Sequence, residues 1–270
     1  MSDSQLKITI LGCGSSTGVP RINGDWGACD PNEPRNWRRR SSILLEKQGK
    51  TGTTTIVIDT GPDIREQFLS ANVQSLDAIV YTHAHADHIH GIDDLRFFSI
   101  VQKKLLPVFM DLETSQRLRQ AFDYCFQTPS GSGYPPIMEE CRIISKQEFV
   151  ISGAGGALPL IPIPLKHGRI DSLGFRFGDV AYTPDLNDIP KSSINYLKSL
   201  DLWIVDALRY RPHPSHFCLD DVLKWDGILQ PKRVILTNMH SDIDYNKVAR
   251  QLPKHITPAY DGLGIYMDNL

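Results

Sequence analysis

Three histidines and one aspartate fall within six residues in the run Thr82-His83-Ala84-His85-Ala86-Asp87-His88. Imidazole nitrogens and a carboxylate are ligands for zinc, iron or manganese. Expression tags and low-complexity tracts also concentrate histidine. This run instead lies mid-chain, alternates with small alanines and carries an acid, so it reads as a metal site. It follows Leu76-Asp77-Ala78-Ile79-Val80-Tyr81, a strand pattern. The end of a strand is where α/β proteins keep their sites.

A catalytic dinuclear centre needs more ligands than one run supplies, with positions left over for water and substrate. Distant residues must therefore converge, and they too should stand just past strands. His167 follows Leu160-Ile161-Pro162-Ile163-Pro164-Leu165, Asp185 follows Val180-Ala181-Tyr182-Thr183-Pro184, and His240 follows Val234-Ile235-Leu236-Thr237. Each alone reads as a capping or loop residue. Four such junctions in one chain, counting the opening run, read jointly as a single centre.

Other polar residues carry two readings each. Asp59 ends the apolar run 55–58 and is either a turn cap or a carboxylate that orients a ligand histidine. His216, just before a helical pattern, is available as an acid or an anion contact. His213, bracketed by prolines, reads as a loop residue, and His90 and His255 as ordinary histidines. The basic run Arg35-Asn36-Trp37-Arg38-Arg39-Arg40 reads first as a solvated loop entering a strand. Its alternative is a phosphate or nucleotide contact, with Arg40 as the candidate, because guanidinium forks match phosphate oxygens and tryptophan stacks on bases. Residues 128–136, rich in Pro, Gly and Ser, cannot be regular structure. They form either a solvent loop or a lid that offers Tyr134 to a substrate.

These residues must be positioned by short elements. Strand patterns occur at 7–11, 42–46, 55–59, 78–81, 160–165, 173–177, 180–182, 202–205 and 233–237. Helical spacing predicts helices from Pro62 with Ile64, Phe68 and Leu69 on one face, through 95–98, and over 113–126, 191–199, 219–229 and 245–252. Two strand-rich halves with interspersed helices predict an α/β (α+β) fold of two packed sheets flanked by helices. The 270 residues, without a linker or a repeat of fixed period, are expected to form one domain spanning 1–270.

Composition excludes several classes. Hydrophobic residues make up 41%, enough for a core, and the formal charge of −2 gives no sign of a nucleic-acid or anionic-membrane partner. No apolar run approaches a bilayer span. The N-terminus lacks a basic region leading into an apolar stretch, so secretion is not expected. The five cysteines are scattered without CxxC spacing, which suits free thiols in a reducing cytoplasm.

The pattern His83-x-His85-x-Asp87-His88, with Gly91 nearby and His167, Asp185 and His240 following in order, resembles the metallo-β-lactamase superfamily. The segments Leu11-Gly12-Cys13-Gly14-Ser15-Ser16-Thr17-Gly18-Val19-Pro20 and Tyr260-Asp261-Gly262 narrow the likeness. They are similar to the branch holding the cyclic-phosphate phosphodiesterase of phosphonate breakdown and, more distantly, the tRNA 3′-processing ribonuclease. The resemblance implies a four-layer αβ/βα sandwich of two mixed sheets. It implies two divalent ions, Zn2+ or Mn2+: one held by His83, His85 and His167, the other by Asp87, His88 and His240, with Asp185 bridging. True β-lactamases of the superfamily usually carry cysteine or histidine at that bridge, so lactam hydrolysis is not expected. His216 resembles the extra histidine that phosphodiesterase members place beside the scissile phosphate. Two features depart from the branch. Residues 24–30 keep only Cys29 where the phosphonate enzyme has a cysteine-rich structural zinc site, and no segment matches the tRNA-gripping arm.

The expected function is hydrolysis of a small cyclic or nucleotide-like phosphodiester by a metal-bridging hydroxide. His216 and Asp87 are the catalytic residues, with Asp87 a ligand first, and His216, Arg40 and Tyr134 contact substrate. A near-neutral surface suits a small substrate better than a long nucleic acid. The expected setting is cytoplasmic, without membrane, and compatible with a homodimer. The alternatives are a thioester or acyl hydrolase on the same ions, a tRNA 3′-processing-like nuclease, and a non-enzymatic nucleotide-binding module.

Overall fold

A computed structural model describes residues 5–268. Its strands are β1 (Gln5–Gly12), β2 (Ser42–Gln48), β3 (Thr53–Ile58), β4 (Ala78–Val80), β5 (Leu106–Met110), β6 (Met138–Arg142), β7 (Phe149–Gly153), β8 (Gly156–His167), β9 (Ile170–Phe177), β10 (Val180–Thr183), β11 (Leu202–Asp206), β12 (Val234–Thr237), β13 (Ile256–Pro258) and β14 (Gly264–Asp268). The helices are α1 (Ile64–Ala71), α2 (Ala86–Ile89), α3 (Arg96–Gln102), α4 (Leu112–Phe122), α5 (Leu219–Leu229) and α6 (Tyr245–Gln251). One seven-stranded sheet has the order β14-β1-β2-β3-β4-β5-β6 and the other β13-β12-β11-β10-β9-β8-β7. Both are mixed and flanked by helices, the α/β class that the sequence predicts.

Contacts divide the chain into two interleaved units. One comprises Ser42–Pro159 with the N-terminal stretch up to Thr9 and the C-terminal stretch from Gly264; the other comprises Ile10–Ser41 and Leu160–Leu263.

In the first unit, β2 and β3 form an antiparallel hairpin closed by Gly49 N–H donating to the Gly52 carbonyl at 2.9 Å. From β3 through β4 and β5 to β6 the strands run parallel. The buried run Ile56-Val57-Ile58 and the triplet Ala78-Ile79-Val80 suit parallel strands covered on both faces. Ile58 pairs with Val80, so the residues after β3 and β4 emerge at one edge.

The second unit repeats the device. β10, β11, β12 and β13 are parallel, with Thr183 opposite Val205 and Asp206 opposite Thr237. β9 runs antiparallel to both β8 and β10. β8 and β10 therefore point the same way, and His167 leaves its strand at the edge where Asp185 follows β10.

Several expectations need correction. Residues 191–199 hold only a one-turn 3-10 helix, Ile194–Leu197. Ser193 spends its hydroxyl on the Pro164 carbonyl at 2.7 Å, and Ser199 turns to φ 55°, so the segment cannot continue as an α-helix. Leu69, expected on the buried face of α1, is 63% exposed. The predicted 113–126 helix ends at Phe122 and tightens into the 3-10 turn Asp123–Cys125. The strands β5, β6, β7, β13 and β14 carry no strong alternation; β5 holds Pro107, and pairing with neighbours decides them. Residues 128–136 contain no helix or strand, as expected.

Candidate metal centre

In the first unit the histidine run leaves β4 and turns into α2, whose first turn contains Asp87. Asp59, the residue after β3, is fully buried at φ 65°, a left-handed backbone that Asn and Asp tolerate better than most residues. Its Oδ1 accepts from the Thr82 backbone N–H at 2.9 Å, and its Oδ2 accepts from the Thr82 hydroxyl at 2.8 Å and from His88 Nδ1 at 2.7 Å. Burial pushes the Asp59 carboxyl upward, and His88 and Thr82 oppose that shift. Since Thr82 donates to Asp59, its oxygen accepts from His83 Nδ1 at 2.9 Å. One buried carboxylate thus sets the tautomers of two histidines and leaves the Nε2 of each available to a metal.

The ligand atoms cluster accordingly. His83 Nε2 and His85 Nδ1 lie 3.0 Å apart, the His83 and His88 ring centroids 4.3 Å apart, and His88 Nε2 lies 3.5 Å from Asp87 Oδ2. Gly91 holds α2 in place. Its N–H donates to the Thr60 carbonyl at 2.8 Å, and a Cβ there would stand 2.2 Å from the Gly61 carbonyl oxygen. Only glycine permits this approach.

In the second unit, His167, Asp185 and His216 each bring one ligand atom to within 4.8 Å of the others. His167 Nδ1 donates to the Ser215 carbonyl at 2.6 Å, which leaves Nε2 facing Asp185 Oδ1 at 3.8 Å. Asn238, following β12, donates to Asp185 Oδ1 at 3.2 Å and to the Pro184 carbonyl at 2.9 Å. His216 Nδ1 lies 2.8 Å from Oδ2 of the fully buried Asp206. Burial pushes Asp206 up to about 7 even against the pull of His216. This set of imidazoles and carboxylates fits zinc or manganese; His83, His88, His167 and Asp185 are buried, whereas His85 is exposed.

His240 stands at the rim of the same unit, with Asp242 Oδ1 3.2 Å from Nδ1 and Arg21 Nη2 2.8 Å from Nε2. Burial first, and then Arg21 and Arg209, hold His240 below its ordinary value against the Asp242 carboxylate.

The basic run is largely spoken for. Arg38 is buried, donating to the His240 carbonyl at 3.3 Å and to Asn36 Oδ1 at 3.2 Å. Arg39 pairs with Asp261 at 3.0 Å, and Arg35 with Glu33 at 2.7 Å. Arg40 is half-buried, bridged to Gly14. Trp37 is exposed with its ring edge-on to Trp26. Tyr134 is 76% exposed and, with Arg96, Ile100 and Tyr124, lines a cleft of about 470 Å³ that contains none of the candidate ligands.

Asp206, Asn238 and Arg21 were not singled out from the sequence. Asp206 closes the apolar run Leu202-Trp203-Ile204-Val205, and Asn238 directly follows 234–237, so the strand-end rule could have found both. Arg21 meets His240 across 219 residues and carries no local signal.

Comparison with known proteins places this geometry. Residues 54–239 match the family of the beta-lactamase superfamily domain, and the chain belongs to that superfamily, with the metallo-β-lactamase fold. Along its length it is similar to a crystallised diphosphatase of the PhnP family, with 34% identity, a TM-score of 0.87 and 98% of each chain covered. It is 33% identical over 268 residues to an octanoyltransferase of Porphyromonas gingivalis, covering 97% of this chain and 52% of that protein. It is 30% identical over 146 residues to a ribonuclease Z of Bradyrhizobium diazoefficiens, covering 53% of this chain and 46% of that one. The chain thus spans about half the length of the curated relatives it matches. Among the described residues no helix is long and apolar enough to cross a membrane.

Proposed function

We propose that this chain is a dinuclear metal-dependent phosphodiesterase acting on a small cyclic or nucleotide-like phosphodiester in the cytoplasm. The observation that carries the reading is His216, held through Nδ1 by buried Asp206 and lying 3.6 Å from Asp185 Oδ1. Similarity to the PhnP-family diphosphatase supports phosphate chemistry.

In this reading His83, His85 and His167 serve one ion, Asp87, His88 and His240 the other, and Asp185 both. Zn2+ or Mn2+ suits this donor set. When bound, the ions supply a nucleophile at neutral pH and neutralise charge growing on the phosphoryl oxygens. The chain's own residues do the rest. Asp59 and the Ser215 carbonyl hold the ligand imidazoles in the required tautomers. Asp206 accepts from His216 Nδ1 and keeps the ring oriented. As the imidazolium, protonated on both nitrogens, His216 would give its Nε2 proton to the leaving alkoxide or donate it to a phosphoryl oxygen. Arg40 is assigned to the substrate's distal parts, whereas Tyr134, in a cleft that holds none of the candidate ligands, takes no part in this reading.

Metal-loaded protein is expected to cleave bis(p-nitrophenyl) phosphate, and chelator to abolish the cleavage. Absence of turnover by protein shown to hold two ions would overturn the assignment. A second reading, acyl or thioester hydrolysis, is favoured by the relative whose name is octanoyltransferase. The same loaded protein offered octanoyl thioesters beside phosphodiesters decides between the two.

A further inference from the structure

Arg21 opens a tight turn. Its N–H donates to the Asp25 carbonyl at 2.9 Å, and Gly24 N–H donates back to the Arg21 carbonyl at 2.8 Å. Asp25 in turn is fixed by its own contacts: its backbone N–H donates to Asn23 Oδ1 at 3.2 Å, and its Oδ1 accepts from Gly27 N–H at 2.9 Å. Asp25 Oδ2 grips Arg21 Nη1 at 2.5 Å. The guanidinium is therefore tethered at one nitrogen, while the other, Nη2, reaches 2.8 Å from His240 Nε2.

That second contact is chemically informative. A guanidinium has donors only and stays charged, so His240 Nε2 must be the accepting nitrogen. The proton then sits on Nδ1, facing Asp242 Oδ1 at 3.2 Å. This is the tautomer that a metal ligand needs. It also means that Nη2 and a divalent ion address the same lone pair. Both are cations and cannot share it. Were His240 Nε2 to hold an ion, Nη2 would have to give up that lone pair, and Asp25 would still tether the guanidinium through Nη1. A guanidinium donor freed beside a candidate metal ligand would suit a phosphate oxygen. Other arginines around His240 are committed elsewhere. Arg38 serves carbonyl and amide oxygens, and Arg209 donates to the carbonyls of Arg211 and Pro212 at 3.1 and 2.8 Å.

We propose that Arg21 is a substrate-positioning residue, which exchanges His240 Nε2 for a non-bridging phosphate oxygen of the substrate when the site is loaded. The proposal rests on the phosphodiesterase reading.

The experiment compares wild type, Arg21→Ala and Arg21→Lys in three readouts: Mn2+ affinity by calorimetry, inorganic phosphate affinity of the loaded proteins, and KM and kcat for bis(p-nitrophenyl) phosphate. Arg21→Ala is expected to bind Mn2+ at least as tightly as wild type, because a competing cation is gone. Its phosphate Kd and its KM should rise about tenfold, the worth of one charge-assisted hydrogen bond, with kcat changed far less. Arg21→Lys should restore part of the loss. Unchanged phosphate Kd and KM in Arg21→Ala, with metal bound normally, would overturn the role of Arg21 while leaving the phosphodiesterase reading intact. Weaker Mn2+ binding in Arg21→Ala would also overturn it, since it would make Arg21 a structural prop of the ligand. Failure of wild type itself to bind metal or turn over would instead remove the underlying reading.

Discussion

His88 Nδ1 donates to Asp59 Oδ2 at 2.7 Å, inside a carboxylate that solvent does not reach. The same oxygen takes the Thr82 hydroxyl, which orients His83. Two candidate ligand histidines, His83 and His88, therefore depend on one buried carboxylate. Asp59→Asn replaces one of the two carboxylate oxygens by an NH2 donor, which breaks part of this network. Metal affinity is expected to fall about 10- to 100-fold, as is usual for orienting partners. Calorimetric titration with Zn2+ or Mn2+ checks this, and unchanged affinity would remove Asp59 from the centre.

His216 and Asp206 form the corresponding pair in the second unit. His216→Ala is expected to lower phosphodiester turnover by about 10²- to 10⁴-fold, the usual worth of a general acid. Two equivalents of metal should be retained. Asp206→Asn should give a smaller loss, because the imidazole remains but its orientation and charge support weaken. If His216→Ala instead loses metal, the histidine is a ligand and not the acid.

Acid stability follows from carboxylates outside the centre. The Arg35 guanidinium is the main cause holding Glu33 down at about 2, with further hydrogen bonds from the Arg35 N–H and Asn246. Asp244 is also held below the ordinary carboxylate range. Burial acts to raise it, and donors from Asp30, Lys247 and Asn36 outweigh that effect. A carboxylate depressed in the folded state stabilises the fold above its unfolded value, about 4.3 for glutamate. That contribution is lost as pH falls through the folded value. Glu33→Gln should therefore lower the Tm at pH 7, and the gap to wild type should close from about pH 4 towards pH 2. A gap that stays constant across that range would contradict the account.

Thiol chemistry should be slow in the native protein. Cys13, Cys29, Cys125 and Cys218 are buried and Cys141 only partly exposed. Burial is the main cause raising all of them, Cys125 to about 12. Low thiolate content means low reactivity. Ellman's reagent at pH 7.5 should modify Cys141 first and slowly, and all five thiols only after denaturation. Peptide mass mapping that found Cys13 modified early would show that this part of the second unit opens readily.

The sequence by itself determined the candidate ligand types and their strand-end placement. The run His83 to His88, and His167, Asp185 and His240, announce themselves because apolar strands and the polar residues that follow them are local patterns. The superfamily could be read from them, and the family match bears that out. Helix α5, Leu219–Leu229, was legible for the same reason. The 191–199 segment was not, because Ser193 is claimed by the carbonyl of Pro164 on another strand. Only the tertiary structure decided which polar groups orient the candidate ligands. The parallel register that puts Ile58 beside Val80 is what brings Asp59 to Thr82 and His88. The pairing of Asp206 with Thr237 brings a buried acid to the edge where Asn238 and His216 meet. Arg21 reaches His240 from 219 residues away. Strand register and loop docking are set by packing over the whole chain, so no spacing of neighbouring residues encodes them.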